Sequence, residues 1–203
     1  MSFICLTPLA TFKVESNSIS ISGLGLDKKA NIKQGCDVTL GLQQFINQFP
    51  VKEKTINGIF GYTTYDAIQY FEKINIKENK KDNEIPILNY SFYKYIIQIN
   101  HFKNELTIIE NLVDDEISEI DKIEKLVKTT SHPQYNFKLE GEQHSNLTDD
   151  DFKEMVKKGK FHCQRGDVFQ IVLSRQFLQK FKGDEFDVYR ALRSVIPSPY
   201  LFY

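Results

Sequence analysis

The amino-acid sequence reads as α+β, with antiparallel sheets and helices packed on their faces. Apolar and polar residues alternate in paired runs separated by short polar turns, the pattern of antiparallel hairpins. Other stretches repeat apolar residues at helical spacing and stop at proline or glycine. Sixteen Phe and ten Tyr, with no Trp among 203 residues, put much of the core's burial on aromatic rings.

The first part of the chain is rich in strands. Ser2–Leu6 is an apolar strand bounded by Thr7-Pro8, and Thr11–Glu15 with Ser18–Ser22 forms a hairpin around Ser16-Asn17. Asp37–Phe49 is helical, with Leu40, Leu42, Phe45, Ile46 and Phe49 along one side and Pro50 just beyond. Ile56–Tyr62 is a short buried strand containing Gly58 and Gly61, and Tyr65–Phe71 winds as a helix with Ala67, Ile68 and Phe71 on one side. Lys73–Glu84 is charged and has little to bury, so it is a solvated loop. Tyr90–Asn100 and Leu106–Leu112 pair around Phe102-Lys103-Asn104-Glu105, and Glu116–Lys128 is a helix carrying Ile117, Ile120, Ile123 and Val127.

Thr129–Glu142 has little periodicity and includes Pro133 and Gly141. It marks a break, so residues 1–128 are expected to form one region, 129–146 a linker, and 147–203 the start of a second region. That region opens on Thr148, an N-cap three residues ahead of Asp151, and Asp149–Asp151 suit the positive end of a helix. Phe152, Met155, Val156, Gly159 and Cys163 follow at helical spacing, and Gly166-Asp167 ends the helix. Val168–Phe177 is then a strand with Phe169, Ile171 and Leu173 on one face. Phe186–Val195 is a helix stopped by Pro197, and Tyr200–Tyr203 begins another strand, with its continuation expected downstream.

Composition narrows the classes of function. Lys and Arg number 26 against 27 Asp and Glu, a net charge of −1 that gives no general electrostatic reason to bind nucleic acid or an anionic membrane. The apolar run at Phe3–Leu6 is too short for a signal peptide or a membrane span, and a soluble cytoplasmic protein is expected. Cys5, Cys36 and Cys163 are widely separated and suit reduced thiols. The four histidines form no HxxxH or HxH pair, so no Cys/His metal site is expected.

One polar side chain interrupts the apolar run Val168–Leu173: Gln170. Such an amide must find hydrogen-bond partners or meet solvent in a cleft. It either ties its strand to a neighbour or stands at the floor of a pocket. Pro197-Ser198-Pro199-Tyr200 has a plain structural reading, in which two prolines fix a turn, Ser198 bonds local backbone and Tyr200 fills core. Asn100-His101 reads as a strand end, with His101 on a backbone partner, and Asp66 as a structural acceptor.

The stretch Gly166-Asp167-Val168-Phe169-Gln170-Ile171-Val172-Leu173-Ser174-Arg175 closely resembles the segment that opens the shared region of anthranilate synthase large subunits, which belong to the chorismate-utilising enzymes. Tyr189-Arg190-Ala191-Leu192 and Pro197-Ser198-Pro199-Tyr200 follow at that family's spacing. Upstream, Asn57-Gly58-Ile59-Phe60-Gly61-Tyr62 with Tyr65-Asp66-Ala67-Ile68-Gln69-Tyr70-Phe71-Glu72 resembles another family block, and Ser2–Ala10 is similar to its early strand. Several blocks in one order are far more specific than a single motif.

The resemblance implies amination of chorismate followed by loss of pyruvate to give anthranilate, with Mg2+ as cofactor and ammonia from a glutamine amidotransferase subunit. It places the magnesium carboxylates beyond residue 203, so no metal ligand is expected within this chain and the chain alone is expected to be inactive. By the same resemblance Gln170 orients the incoming nucleophile, at the position where water-using relatives carry Lys. Pro197, Ser198, Pro199, Tyr200 and Leu201 then match part of a tryptophan feedback site, although Ile196 and Leu201 stand where the family usually has Asn and Met. The alternatives are aminodeoxychorismate synthase, which shares the amination, and a non-catalytic regulatory or partner-docking fragment.

Overall fold

A computed structural model describes residues 1–203 except 16, 51–55, 75–84, 131–134, 197 and 199. Most of the loop expected over Lys73–Glu84 therefore lies outside the described residues, as do Ser16 of the first turn, Pro133, Pro197 and Pro199. The chain divides into two compact units, Met1–Thr129 and Thr130–Tyr203.

In the first unit β1 is one long strand, Ser2–Glu15, rather than two short ones. The break expected at Thr7-Pro8 is taken up inside the strand: Thr7 has φ of +58°, and the pairing register shifts between Pro8 and Ala10. A proline without an amide hydrogen is tolerated at such a bulge, so the strand bends and continues. β2, Ser18–Ser22, folds back on it in the predicted hairpin, with Thr11 opposite Ser22 and Glu15 opposite Ser18. β3, Lys28–Asn31, extends the same edge.

The centre of the sheet is β5, Leu88–Asn100. It pairs antiparallel with β1 over its length, with β4, Ile59–Thr63, along its first half, and with β6, Glu105–Glu110, along its second. Among the described residues this gives a six-stranded sheet in the order β3-β2-β1-β5-β4, with β6 also on β5. The alternation in sequence is visible in burial: Ala10, Phe12 and Val14 of β1 are buried while Thr11 and Lys13 are less so.

Helix α1, Cys36–Ile46, covers this face. Gly41 lets its backbone approach closely, since a Cβ there would lie 3.3 Å from the Phe12 ring. Phe12, Val14, Val38, Phe45, Ala67 and Leu88 form the buried cluster beneath it. The aromatic rings chain together, with centroids 5.8 Å apart for Phe12–Phe45, 5.0 Å for Phe45–Phe49 and 4.3 Å for the stacked pair Phe49–Phe92. Ala67 comes from Tyr65–Tyr70, where the expected helix takes the tighter 3₁₀ form. Within the sheet the buried Ser91 satisfies its hydroxyl on Thr11, the residue opposite it in register, at 2.8 Å.

Helix α2 runs over Ile120–Lys128, four residues shorter at its start than the apolar spacing implies. Glu110, at the end of β6, explains the difference. Its carboxylate accepts from the Ser118 hydroxyl at 2.5 Å and from the amide of Glu119, the residue just before the helix, at 3.0 Å, holding the lead-in chain against the sheet. Burial works against ionisation of Glu110, but the bonds from Ser118 and Glu119 outweigh it and its pKa is lowered.

The second unit holds the antiparallel pair β7, Lys138–Ser145, and β8, Phe177–Lys182. β7 lies in the stretch read as linker: its sequence KLEGEQHS carries almost nothing apolar, so no alternation announces it. Between these strands comes α3, Asp149–Gln164, opened by the expected cap. The Thr148 hydroxyl accepts from the Asp151 amide at 3.2 Å, and the Asp151 carboxylate accepts from the Thr148 amide at 3.1 Å, so Asp completes the box usually built with Glu or Gln. α4, Phe186–Val195, follows.

Replacement of Phe45 by Ala is expected to cost about 3–5 kcal/mol, read as a lower urea midpoint for the first unit. Because the Glu110 pKa is depressed on folding, the stability it contributes is present above its unfolded value. That contribution is lost as pH falls through the folded value, below the ordinary carboxylate range. The protection factor of the Glu119 amide, which removes the intrinsic pH dependence of exchange, should fall over that acid window in the wild type, and Glu110→Gln should show the lower protection already at neutral pH.

Candidate functional site

The residues singled out for chemistry lie in the second unit, and their setting begins at the end of α3. Gly166, with φ of +78°, closes the helix: its amide donates to the Cys163 carbonyl and the Asp167 amide to the His162 carbonyl. Asp167 then accepts a hydrogen bond at 2.8 Å from His162 Nδ1, which fixes the exit of the chain from the helix.

From there the chain departs from expectation. Val168–Phe177 is not a strand; β8 starts only at Phe177. A strand exists only where a partner supplies the ladder, and β7 pairs no further along than Phe177. Among the described residues nothing pairs with 168–174. Phe169 is therefore fully exposed and Val172 is 81% exposed, although both were read as part of a buried strand.

Part of the expected facing survives. Ile171 and Leu173 both reach Gly159 of α3, where an added Cβ would lie 3.4 and 3.5 Å from their side chains. Residues two apart touching one point is the spacing of extended chain. Gly159 is buried and admits both side chains because it has none of its own. Gln170 falls on the alternate parity, is exposed, and makes no hydrogen bond among the described residues.

The turn after α4 is only partly described, because Pro197 and Pro199 lie outside. Ser198 bonds local chain as expected: its amide donates to the Ile196 carbonyl at 2.8 Å, and its hydroxyl donates to the Tyr200 carbonyl at 3.1 Å. Tyr200 does not fill core, being 85% exposed, while Leu201 is half-buried. The strand expected over Tyr200–Tyr203 does not form. The Tyr203 ring instead packs on Phe186 and Tyr189, with centroids 5.1 and 5.8 Å away. Among the described residues no hydrogen bond or ring contact brings Gln170 together with Ser198, Tyr200 or Leu201.

Two lesser candidates are resolved in the first unit. His101 Nε2 pairs with the Ser2 hydroxyl at 2.7 Å, a side-chain partner at the start of β1 rather than a backbone one. At Asp66 it is the main-chain carbonyl that accepts, from Gln69 at 2.8 Å. Among the described residues no three His, Cys, Asp or Glu side chains converge as a metal-ligand set, and no helix is long and apolar enough to cross a membrane.

One side chain that the sequence did not single out gathers this unit. Arg175 donates from Nε to the Ser145 hydroxyl at 2.8 Å and from Nη1 to Asp149 Oδ1 at 2.6 Å, and its guanidinium lies 4.7 Å from the centre of the Phe177 ring. Its bond and charge hold the Asp149 carboxylate below its ordinary pKa. Partners 26 and 30 residues away leave no local pattern, so nothing in the sequence announces them.

Comparison with known proteins adds the family. The chorismate binding enzyme family matches residues 3–203. The chain belongs to that family. It is 30% identical over 166 residues to anthranilate synthase component 1 of Aquifex aeolicus, covering 72% of this chain and 32% of that protein. It is 31% identical over 183 residues to the chloroplastic anthranilate synthase alpha subunit 2 of Arabidopsis thaliana, covering 79% of this chain and 29% of that one. This family member thus spans about a third of the length of those curated relatives. The crystal structure of anthranilate synthase component I from Streptococcus pneumoniae shares its fold, with a TM-score of 0.69 at 23% identity, over 99% of this chain and 46% of that one.

With Cys36 exposed and Cys5 half-buried, burial pushes the Cys5 thiol up to about 11. Alkylation at pH 8 followed by peptide mass spectrometry should therefore label Cys36 at least about tenfold faster than Cys5, since the thiolate is the reacting form. Equal rates would mean that β1 opens readily.

Proposed function

We propose that this chain is the amino-terminal part of a large subunit of anthranilate synthase, acting in tryptophan biosynthesis. In that reaction ammonia adds to chorismate as the ring hydroxyl leaves as water, and pyruvate is then eliminated to give anthranilate. The observation that carries the reading is the alignment of relatives named as anthranilate synthase components over 72% and 79% of this chain.

In this reading Gln170 faces the chorismate cleft and orients the nucleophile. A neutral carboxamide neither takes up nor releases a proton near pH 7, so it acts by hydrogen bonding rather than as a general base. Its support is that the side chain is exposed and uncommitted, on the parity opposite the α3 contact. Pro197, Ser198, Pro199, Tyr200 and Leu201 contribute to a site for tryptophan as feedback inhibitor, for which the exposed Tyr200 ring offers a stacking surface.

The ammonia comes from glutamine through a separate amidotransferase subunit, and the protein works in the cytoplasm with its thiols reduced. The described residues do not fit the Mg2+ that the chemistry implies, because they supply no converging carboxylates. The ion is accordingly assigned to none of the described residues.

Incubated with chorismate, an ammonium salt and magnesium, the chain alone should give no anthranilate fluorescence above a protein-free control. Turnover there would mean that the active site is complete within residues 1–203. In the complete subunit, Gln170→Ala should lower kcat by at least about tenfold, in line with loss of a group acting on the reacting atoms, and leave the thermal midpoint unchanged. Unaltered turnover would return Gln170 to a purely structural role.

A further inference from the structure

The guanidinium of Arg175 meets three elements at once. It bonds Ser145 at the end of β7 and Asp149 in the first turn of α3, and it covers the ring of Phe177 at the start of β8. Beside it a second pair of bonds joins the same two stretches. The Asn146 amide donates to the Gln176 carbonyl at 3.3 Å, and the Gln176 amide donates to Asn146 Oδ1 at 3.0 Å. The Arg175 side chain is only 18% exposed while its partner Asp149 is 78% exposed, so the fork is held from the protein side and not by a solvated ion pair alone.

This clasp sits at the end of the stretch that carries Gln170. Ile171 and Leu173 reach α3 and Arg175 its first turn, with Ile171 45% exposed against 81% for Val172. Side chains of extended chain alternate, so slipping by one residue would exchange the two sets. The segment has no ladder to hold its register, because nothing described pairs with 168–174. Two side-chain contacts on Gly159 and the clasp at Arg175 are what remain to hold it.

We infer that Arg175 is a positioning residue: anchored to Ser145 and Asp149, it fixes the parity of the extended chain over residues 171–174 and so keeps the adjoining Gln170 off α3. The inference rests on the proposed role of Gln170 for its catalytic consequence, but not for the structural one. Lysine cannot replace it fully, since a single ammonium group lacks the fork that reaches both partners and the plane that lies on Phe177.

Two measurements separate these levels. In the methyl-labelled chain, the methyl groups of Ile171 and Leu173 should show contacts to the Gly159 α-protons by nuclear Overhauser spectroscopy. Arg175→Ala should abolish them, Arg175→Lys should retain them in part, and both should leave the signals of β1 and β5 unchanged. Contacts that persist in Arg175→Ala would overturn the inference, as would losing them only together with the whole unit's fold in both variants.

In the complete subunit, Arg175→Ala should lower kcat about tenfold with little change in KM, and the double variant with Gln170→Ala should be no slower than Gln170→Ala alone. Fully additive losses would show that Arg175 does not act through Gln170, and would overturn its catalytic part. If Gln170→Ala is itself harmless, the role proposed for Gln170 fails, and the methyl contacts still decide what Arg175 does.

Discussion

The first unit depends on the antiparallel pairing of β1 with β5. It runs from Ser2 opposite Ile99 to Val14 opposite Leu88; β2, β4 and β6 attach to one or other of these two, and β3 attaches through β2. The same two strands supply Phe12, Val14, Leu88 and Ile96, all almost completely buried. Their partners are far apart in sequence, so closing the pairing costs chain entropy that only the combined ladder and core repay. The proline bulge in β1 has to be tolerated for this reason: breaking the strand at Pro8 would detach its first half from β5.

Aromatic packing takes the place of a thick layer of helices. α1 covers one face through Phe45, and the rings of Phe12, Phe45, Phe49 and Phe92 continue from sheet to helix and back. On the other part of the sheet polar groups do the corresponding work. Glu110 holds the start of α2, Lys94 pairs with Glu116 at 3.0 Å, and the buried ring of Tyr95 reaches Glu119 with its hydroxyl at 3.4 Å.

The second unit is organised differently. Among the described residues its sheet has two strands, which is marginal without further cover, and its apolar residues are largely outside: Phe169, Val172, Tyr200 and Phe202 are each more than four-fifths exposed. What orders it is polar: the local Thr148–Asp151 box and the glycine turn that ends α3, and the longer-range Arg175 clasp. Gln170 belongs to this thinly packed unit. A side chain with a proposed part in chemistry thus depends for its direction on hydrogen bonds made elsewhere.

Where one residue's neighbours in sequence are also its neighbours in space, the sequence was a sufficient guide. The β1–β2 hairpin, the α3 cap and its closing glycine, and the helices around Phe45 and Tyr189 follow from periodicity and capping within a few residues. The ordered blocks from Ser2–Ala10 to Pro197–Tyr200 were likewise enough to point to the family that matches residues 3–203. β7 was hidden because its residues are polar, and Val168–Phe177 was misread because an apolar run reports a need for burial, not the presence of a pairing strand. Only the tertiary structure could bring Arg175 to Ser145 and Asp149, or set Ile171 and Leu173 on Gly159. Those contacts join positions with no shared local period, and which residues meet is decided by how the chain closes on itself.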